Sequence, residues 1–314
     1  MQYRSLGSTG VQVSELSFGC GPVPALLTGD DRPRQLGVVG HALERGVNWF
    51  DTAAGYGQGA SEQNLGDVLA VLGAGDDVHV ATKVRLVDGD LDDIPAAVER
   101  SVTGSLKRLG RQRVTLLQLH NSVTAKRGEE PTSLTVDDVL GPRGVLSALE
   151  RERQRGRAAF IGLTGLGQAE SLKRLIATGR FQTLQVPYNM LNVTAGRTVT
   201  VSPPGPNYGG IMVDADRQGM GVFAIRIFAG GALAGLPPSD YTHKTKFFTL
   251  DAYRRDEKMA AALARSLGFS REQLSTAAVF FALAHPAVSS AIIGFRSSDE
   301  IDSAQRAAES EPPQ

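Results

Sequence analysis

The sequence has few cysteines, no excess of charge of either sign and no long apolar run, and each of these absences excludes a class of protein. The chain of 314 residues has one cysteine, Cys20, so an internal disulfide is excluded and no thiolate cluster is available for a metal. Basic and acidic residues number 33 each, which argues against a nucleic acid held by bulk charge. No apolar run is long enough to span a bilayer, and the first ten residues lack the apolar core of a signal peptide. We therefore expect a soluble cytoplasmic protein without a metal, a membrane or a nucleic-acid partner.

Two nucleotide-binding signatures are also missing. No glycine-rich segment has the GxGxxG pattern of a Rossmann fold, and no P-loop is present. No linker between domains is visible, and closed α/β barrels commonly reach this length as single units. We expect one domain over residues 1–314, with a short N-terminal hairpin and a C-terminal helical tail.

What the sequence does contain is an alternation of short apolar runs with helical patterns, repeated about eight times. The apolar runs predict strands, and glycine follows several of the predicted helices, as a left-handed helix C-cap prefers. The predicted strands are 15–20, 47–53, 78–84, 114–120, 158–164, 183–189, 221–227 and 289–294. The predicted helices are 32–45, 61–72, 96–109, 145–155, 169–177, 211–218, 256–267 and 271–283. Parallel strands that alternate with helices in this number predict an α/β fold, the (β/α)8 TIM barrel.

Four polar residues close these strands or follow them at once. Asp51, Lys83 and His120 each end an apolar run, and Tyr56 lies in the glycine-rich loop just after Asp51. Because the catalytic groups of a TIM barrel sit at the C-terminal ends of its strands, we expect the four side chains to converge on one cleft.

This combination of side chains suits hydride transfer to a carbonyl, which leaves an alkoxide that needs a proton. Tyr56 is the natural acid, since a phenol starts near a pKa of ~10 and a nearby ammonium lowers that value. Lys83 would supply the ammonium, and Asp51 would hold it protonated. His120 can donate a hydrogen bond to the carbonyl oxygen and orient the substrate.

Each of the four residues also has a purely structural interpretation. Asp51 and Lys83 can form an ion pair that only supports the barrel. Tyr56 can pack in its loop, and His120 can be a strand-end histidine with satisfied hydrogen bonds. For Tyr56 or His120 alone the structural interpretation is favoured, whereas the four together on one rim favour catalysis.

Several short motifs, in this order and spacing, resemble those of the aldo-keto reductases over nearly the whole chain. They are Tyr3-Arg4-Ser5-Leu6-Gly7, Phe50-Asp51-Thr52-Ala53 with Tyr56-Gly57, Glu62 and Leu65-Gly66, Ala81-Thr82-Lys83, and Leu117-Gln118-Leu119-His120. The resemblance implies a TIM-barrel oxidoreductase that uses a nicotinamide cofactor to interconvert carbonyls and alcohols, with Tyr56 as general acid and base.

The resemblance also implies which residues hold the nicotinamide half of the cofactor. Gly19 and Cys20 would approach the ribose, and Gln185 would reach the carboxamide. Thr164-Gly165 stands where the family usually has Ser-Asn, so Thr164 keeps a hydroxyl while Gly165 lacks the amide.

The phosphates and the adenosine are expected further along the chain. Arg226 can pair with the pyrophosphate. Gly294, Arg296, Ser297 and Glu300, with the following helix, would hold the adenosine end. Arg296 and Ser297 favour NADP, because a guanidinium and a helix N-terminus both bind a phosphate, and NAD remains the alternative.

The substrate is not specified by these motifs. Long loops after strands set specificity in such barrels, and here they are 121–143, 192–210 and 229–250. The second loop contains the proline-rich stretch 202–206. The third carries Tyr241, Phe247 and Phe248, which either form an apolar lid or pack the loop back on the barrel.

Three alternatives to a carbonyl reductase stay open. One is an aldose 1-dehydrogenase that oxidises a sugar. Another is a cofactor-binding redox sensor with slow turnover, against which the retained tetrad argues. The third is a lyase that uses Lys83 as a Schiff base, against which the predicted Asp51 partner argues.

Overall fold

Eight parallel strands close into a barrel in the computed structural model, which describes residues 1–201 and 204–310. Each strand pairs with its neighbours in sequence, and the last pairs back with the first. A short antiparallel hairpin, β1 (Tyr3–Ser5) and β2 (Gln12–Ser14), precedes the barrel. The barrel strands are β3 (Leu16–Gly19), β4 (Trp49–Asp51), β5 (His79–Val84), β6 (Val114–Leu119), β7 (Ala158–Thr164), β8 (Thr183–Pro187), β9 (Gly221–Ile225) and β10 (Val288–Ile293). The TIM barrel predicted from the sequence is confirmed.

Helices connect the strands and cover the barrel. They are α1 (Arg32–Glu44), α2 (Ala60–Val71), α3 (Ile94–Leu109), α4 (Val136–Leu140), α5 (Val145–Gln154), α6 (Ala169–Ile176), α7 (Ile211–Arg217), α8 (Leu250–Leu267), α9 (Arg271–Ala284) and α10 (Ser298–Glu309). Short 3-10 helices lie at Tyr56–Gly59, Asp88–Asp93 and Ala229–Ala234.

Two helices depart from the prediction, and a local cap explains each. The helix α4 lies inside the segment 121–143, which was expected to be loop, and Thr135 and Asp138 form a reciprocal capping box at its start. The helix predicted over 256–267 begins earlier, at Leu250, because the Thr249 hydroxyl accepts a hydrogen bond from the backbone N–H of Ala252.

Apolar side chains fill the N-terminal end of the barrel. Trp49 is fully buried, and its ring centroid lies 4.8 Å from that of Phe223. Leu6 and Val13 from the hairpin pack in the same cluster, so the hairpin covers this end. Full burial of such a side chain contributes about 1.5–3 kcal/mol. The C-terminal ends of the strands are left as the place for a polar site.

Some predicted segments fall outside the described part of the chain. These are Ser202 and Pro203, from the proline-rich stretch, and residues 311–314, at the end of the predicted tail. Within the described ranges, no helix combines the length and apolarity that crossing a membrane requires. The cytoplasmic location stays a prediction.

Candidate active site

A buried ion pair lies at the C-terminal end of the barrel. The carboxylate of Asp51, on β4, accepts a hydrogen bond of 2.6 Å from the ammonium of Lys83, on β5. The two side chains share the barrel interior because Asp51 pairs in register with Ala81, two residues before Lys83. Lys83 Nζ also donates to the carbonyl oxygen of Thr52 at 2.8 Å. Burial acts to lower the pKa of Lys83, but Asp51 and Tyr56 raise it above its ordinary value, so the amine stays charged.

Two amide side chains hold Asp51 from other strands. Gln118 on β6 donates to Asp51 Oδ2 at 3.3 Å, and Gln185 on β8 donates to Oδ1 at 3.1 Å. This role of Gln118 was not predicted from the sequence, although its position in an apolar strand, two residues before His120, was a usable signal. The carboxylate therefore has three donors that fix its direction.

Tyr56 begins the short 3-10 helix after β4, beside this ion pair. Its hydroxyl lies 3.5 Å from Lys83 Nζ, which is also 5.0 Å from the centroid of the phenol ring. Burial raises the pKa of Tyr56, and Lys83 lowers it by a smaller amount. Lys83 thus acts in the predicted direction, but the predicted fall in the pKa of Tyr56 is wrong, because the effect of burial is larger and the net direction is upward.

His120 lies edge-on to the phenol of Tyr56, with ring centroids 5.7 Å apart and planes at 82°. Burial lowers the pKa of His120 well below its usual value, and the charges of Arg85 and Lys83 act in the same direction. The imidazole is therefore neutral near pH 7 and keeps one N–H donor. The structure brings together all four residues of the predicted tetrad.

Arg85 is a further charged residue at this rim, and it was not among the residues predicted from the sequence. Its Nη2 donates to the carbonyl oxygen of His120 at 3.4 Å, and its Cζ lies 4.3 Å from the ring centroid of Phe247. Strand alternation was a usable signal, because residues two apart, such as Lys83 and Arg85, point the same way.

The residues predicted to meet the nicotinamide carboxamide lie together where β7 and β8 end. Thr164 pairs in register with Gln185, and its hydroxyl donates to the carbonyl oxygen of Leu119 at 2.6 Å. Gln185 Oε1 is buried without a hydrogen-bond partner in the described chain. A buried acceptor without a donor is costly, so this atom suits an amide N–H from a ligand. The nicotinamide carboxamide fits that requirement.

The other residues predicted at the nicotinamide end are more constrained. The side chain of Cys20 is buried in the core, its N–H donates to the carbonyl oxygen of Asp51 at 2.9 Å, and its own carbonyl oxygen accepts from Ser61 Oγ at 2.7 Å. Gly19, which precedes it, has no side chain to contribute. A Cβ at Gly165 would lie 3.0–3.1 Å from apolar side chains, so the asparagine usual in the family does not fit there without a shift.

Arg226, predicted to pair with the pyrophosphate, already has a carboxylate partner. Its Nη2 lies 3.3 Å from Asp256 Oδ2, and its Cζ lies 3.9 Å from the ring centroid of Phe248. Its carbonyl oxygen accepts a hydrogen bond of 2.8 Å from Asn189. With Phe247 and others, these residues line a cavity of about 210 Å³. An anion-binding role for Arg226 stays a prediction.

The segment predicted to hold the adenosine lies at the start of α10. Arg296 Nε and the Arg296 backbone N–H each donate to the carboxylate of Glu300 at 2.6 Å. Arg34, on α1, donates two hydrogen bonds of 2.9 and 3.1 Å to the carbonyl oxygen of Arg296. Arg34, Arg296 and Ser297 line a cleft of about 360 Å³. Gly294 lies against the loop after β3, where a Cβ would clash with the backbone. Two guanidinium groups beside a helix N-terminus fit a phosphate.

Comparison with known proteins extends these observations. The model of the Aldo/keto reductase family matches residues 25–312. L-galactose dehydrogenase of Arabidopsis thaliana is 30% identical over 167 residues, 53% of this chain and 49% of that protein. The uncharacterized oxidoreductase YrpG of Bacillus subtilis (strain 168) is 28% identical over 335 residues, 98% of this chain and 91% of that protein. The chain thus spans about half the length of the first relative and nearly all of the second.

A solved structure has the same fold. The holo form of aldo-keto reductase AKR11C1 from Bacillus halodurans superposes with a TM-score of 0.70, at 24% identity, over 100% of this chain and 93% of that one. The family match covers most of the sequence. The chain therefore belongs to the aldo/keto reductase family.

Proposed function

We propose that this enzyme interconverts an aldehyde or ketone with the corresponding alcohol, using NADP, and that Tyr56 is its general acid and base. The observation that carries the proposal is the convergence of the Tyr56 hydroxyl, the Lys83 ammonium and the neutral His120 ring at one end of the barrel. A purely structural role for each residue taken alone does not explain why these side chains lie together at one end of the barrel.

The bound nicotinamide would supply or accept the hydride at the carbonyl carbon. Tyr56 donates a proton to the carbonyl oxygen during reduction and recovers it during oxidation. The neutral His120 donates a second hydrogen bond to the same oxygen and orients it. Lys83 places a positive charge beside the phenol, so the proton can leave more easily than the burial of Tyr56 alone would allow. Asp51 keeps that charge in place.

NADP rather than NAD is the cofactor that the adenosine end favours. Two arginines, Arg34 and Arg296, line the cleft at the start of α10 together with Asp299, and a guanidinium can bind a 2′-phosphate through paired N–H donors. Glu300 is the competing group, because it already occupies the guanidinium of Arg296. Fluorescence titration with NADPH and with NADH tests this preference directly.

The substitution Tyr56→Phe tests the catalytic assignment. It removes the proton donor and leaves the ring, so we expect reduction to fall about 10²-fold or more while NADPH binding is retained. Tyr188→Phe is the matched control, since Tyr188 is also a buried tyrosine but packs against Phe281 and His285 rather than Lys83. Near-normal turnover by Tyr56→Phe would refute the assignment.

A second candidate is the oxidation of an aldose at C1, and the similarity to L-galactose dehydrogenase favours it. The same four residues can serve both reduction and oxidation, because Tyr56 donates a proton during reduction and accepts one during oxidation. A panel of aldoses with NADP+ and NAD+, run beside a panel of aldehydes with NADPH, separates the two. A lyase that forms a Schiff base at Lys83 is disfavoured, since that chemistry needs an uncharged amine and the pKa of Lys83 is raised.

A further inference from the structure

We propose that Arg85 selects carbonyl substrates that carry an oxyanion, a carboxylate or a phosphate, and that its guanidinium binds this group while Tyr56 and His120 hold the carbonyl. The inference rests on the proposed function, because it names the substrate class for the same site. The observation behind it is a charged side chain at the catalytic rim whose hydrogen-bonding capacity is mostly unused.

The surroundings of Arg85 hold it in place without neutralising it. Among the described residues its one hydrogen bond is the 3.4 Å contact from Nη2 to the carbonyl oxygen of His120, and its Nε is buried there without a partner. The Phe247 ring supplies a cation–π contact, which stabilises the charge but carries none of its own. Within residues 1–201 and 204–310, no aspartate or glutamate pairs with Arg85, and the nearby acidic groups are the phenols of Tyr56 and Tyr241.

Arg226 is a second half-buried arginine near this rim, and it differs from Arg85 in having a carboxylate partner. The ring of Phe247 lies on the guanidinium of Arg85, and the ring of the adjacent Phe248 lies on the guanidinium of Arg226. Arg226 is paired with Asp256 at 3.3 Å, whereas Arg85 has no such partner in the part of the chain that the structure describes. Arg85 is half-buried, and partial burial of a charge without a counter-charge is unfavourable, so the contrast points to an anion that arrives with a ligand.

The charges at the rim lead to the same conclusion. Asp51 and Lys83 cancel one another, and His120 is neutral because its pKa is well below the usual value. Arg85 therefore leaves one net positive charge beside Tyr56. A guanidinium binds a carboxylate or a phosphate through paired N–H donors, which fixes the orientation of the ligand as well as its charge.

Arg85 also lowers the pKa of Tyr56 slightly, and this provides a competing explanation. If Arg85 only adjusted the phenol, its removal would affect charged and neutral substrates alike. If Arg85 binds the substrate, its removal changes the preference between them. The ratio of kcat/KM for an anionic aldehyde to that for its neutral counterpart separates the two, and it does not depend on how much of a variant is correctly folded.

The experiment uses two matched pairs of aldehydes with NADPH. One pair is 4-carboxybenzaldehyde and methyl 4-formylbenzoate, and the other is glyceraldehyde 3-phosphate and glyceraldehyde. We expect the wild type to prefer the anionic member of at least one pair, and Arg85→Gln to reduce that ratio about 10- to 100-fold, the range for a hydrogen bond to a charged group. Arg85→Lys keeps the charge but not the paired donors, so part of the preference should remain. The pair that responds identifies the oxyanion as carboxylate or phosphate.

Arg111→Gln is the matched control variant. Arg111 is also a partly buried arginine with a pKa lowered by burial, but its Nη1 donates to the carbonyl oxygen of Val78, at the N-terminal end of the barrel. Its ratio should equal that of the wild type. The inference would be overturned if Arg85→Gln leaves this ratio unchanged. It would also be overturned if the wild type prefers the anionic aldehyde in neither pair.

Calorimetric titration of the NADP+-saturated protein with benzoate, benzamide and inorganic phosphate gives a readout independent of turnover. If benzoate or phosphate binds to the wild type but not to Arg85→Gln, the anion site is supported, whether or not any aldehyde is reduced. If such binding is found but no aldehyde is reduced, only the proposed function fails. Turnover that requires Tyr56, with no anion preference and no anion binding, leaves the proposed function in place and refutes the inference.

Discussion

The ion pair between Asp51 and Lys83 allows a quantitative prediction about stability. The two side chains are 4% and 1% exposed, and their charged atoms are 2.6 Å apart. Lys83→Met leaves the Asp51 carboxylate buried with only the amides of Gln118 and Gln185 as donors. Removing one partner of a buried pair costs about 3–5 kcal/mol, so we expect Lys83→Met to lower the free energy of unfolding by about that amount.

The double variant Asp51→Asn/Lys83→Met should lose less than the sum of the two single variants. It removes both charges, so neither is left buried without a partner, and the coupling between the sites should be about 0.5–3 kcal/mol. Arg143→Met provides the exposed comparison, because Arg143 and Asp93 form a 3.1 Å ion pair with side chains 76% and 53% exposed. Such a pair contributes about 0–1 kcal/mol.

Urea unfolding, monitored by the fluorescence of the single tryptophan, Trp49, measures these differences in the free energy of unfolding. Trp49 is buried inside the barrel, so its fluorescence reports on the core. The pKa of Lys83 is raised in the folded protein, so its contribution is fully present below the unfolded value of ~10.4 and is lost as pH rises through the higher folded value. The gap between wild type and Lys83→Met should thus be constant from about pH 6 to 9 and narrow above about 10.4. A loss below about 1 kcal/mol, or an additive cycle, would refute the buried-pair reasoning.

Two further predictions concern the neutral imidazole and the cofactor. Because the pKa of His120 lies well below its usual value, protonation of His120 should not lower kcat/KM for reduction between about pH 8 and 6. A fall in kcat/KM with a midpoint near pH ~6.5 that disappears in His120→Gln would contradict this prediction. Glu300→Gln removes the carboxylate that engages Arg296, so the affinity for NADPH should rise up to about tenfold while that for NADH barely changes. Fluorescence titration with the two cofactors measures the second effect, and equal changes for both would show that Arg296 does not contact the 2′-phosphate.

The barrel was predictable because its signal is local and repeated. Each strand is a short apolar run, and glycine after a helix marks where it ends; Gly110 and Gly268, for example, both adopt the left-handed conformation after α3 and α8. The convergence of Asp51, Lys83 and His120 then follows from the fold, since all parallel strands end at the same side of the barrel.

The parts that were missed depend on distances between residues far apart in sequence. Alternation indicates that Gln118 points into the barrel, but not that Asp51 lies within hydrogen-bond distance of it. It likewise gives no sign that Arg85 meets Phe247 from the loop after β9. The net pKa of Tyr56 was missed for a related reason, because its direction depends on how far burial exceeds the effect of Lys83.

That burial has opposite effects on the pKa values of Tyr56 and His120, the two groups that we propose contact the substrate oxygen. It raises the pKa of Tyr56 and lowers that of His120, so both stay neutral and both can donate a hydrogen bond. Lys83 remains charged in the same environment because Asp51 is fixed beside it. Two neutral donors in a positive surrounding suit an oxygen that gains negative charge during the reaction, since preorganised donors and nearby positive charge stabilise that charge most strongly where water is excluded. In the proposed mechanism the same arrangement would serve the reverse reaction, because oxidation passes through the same charged oxygen.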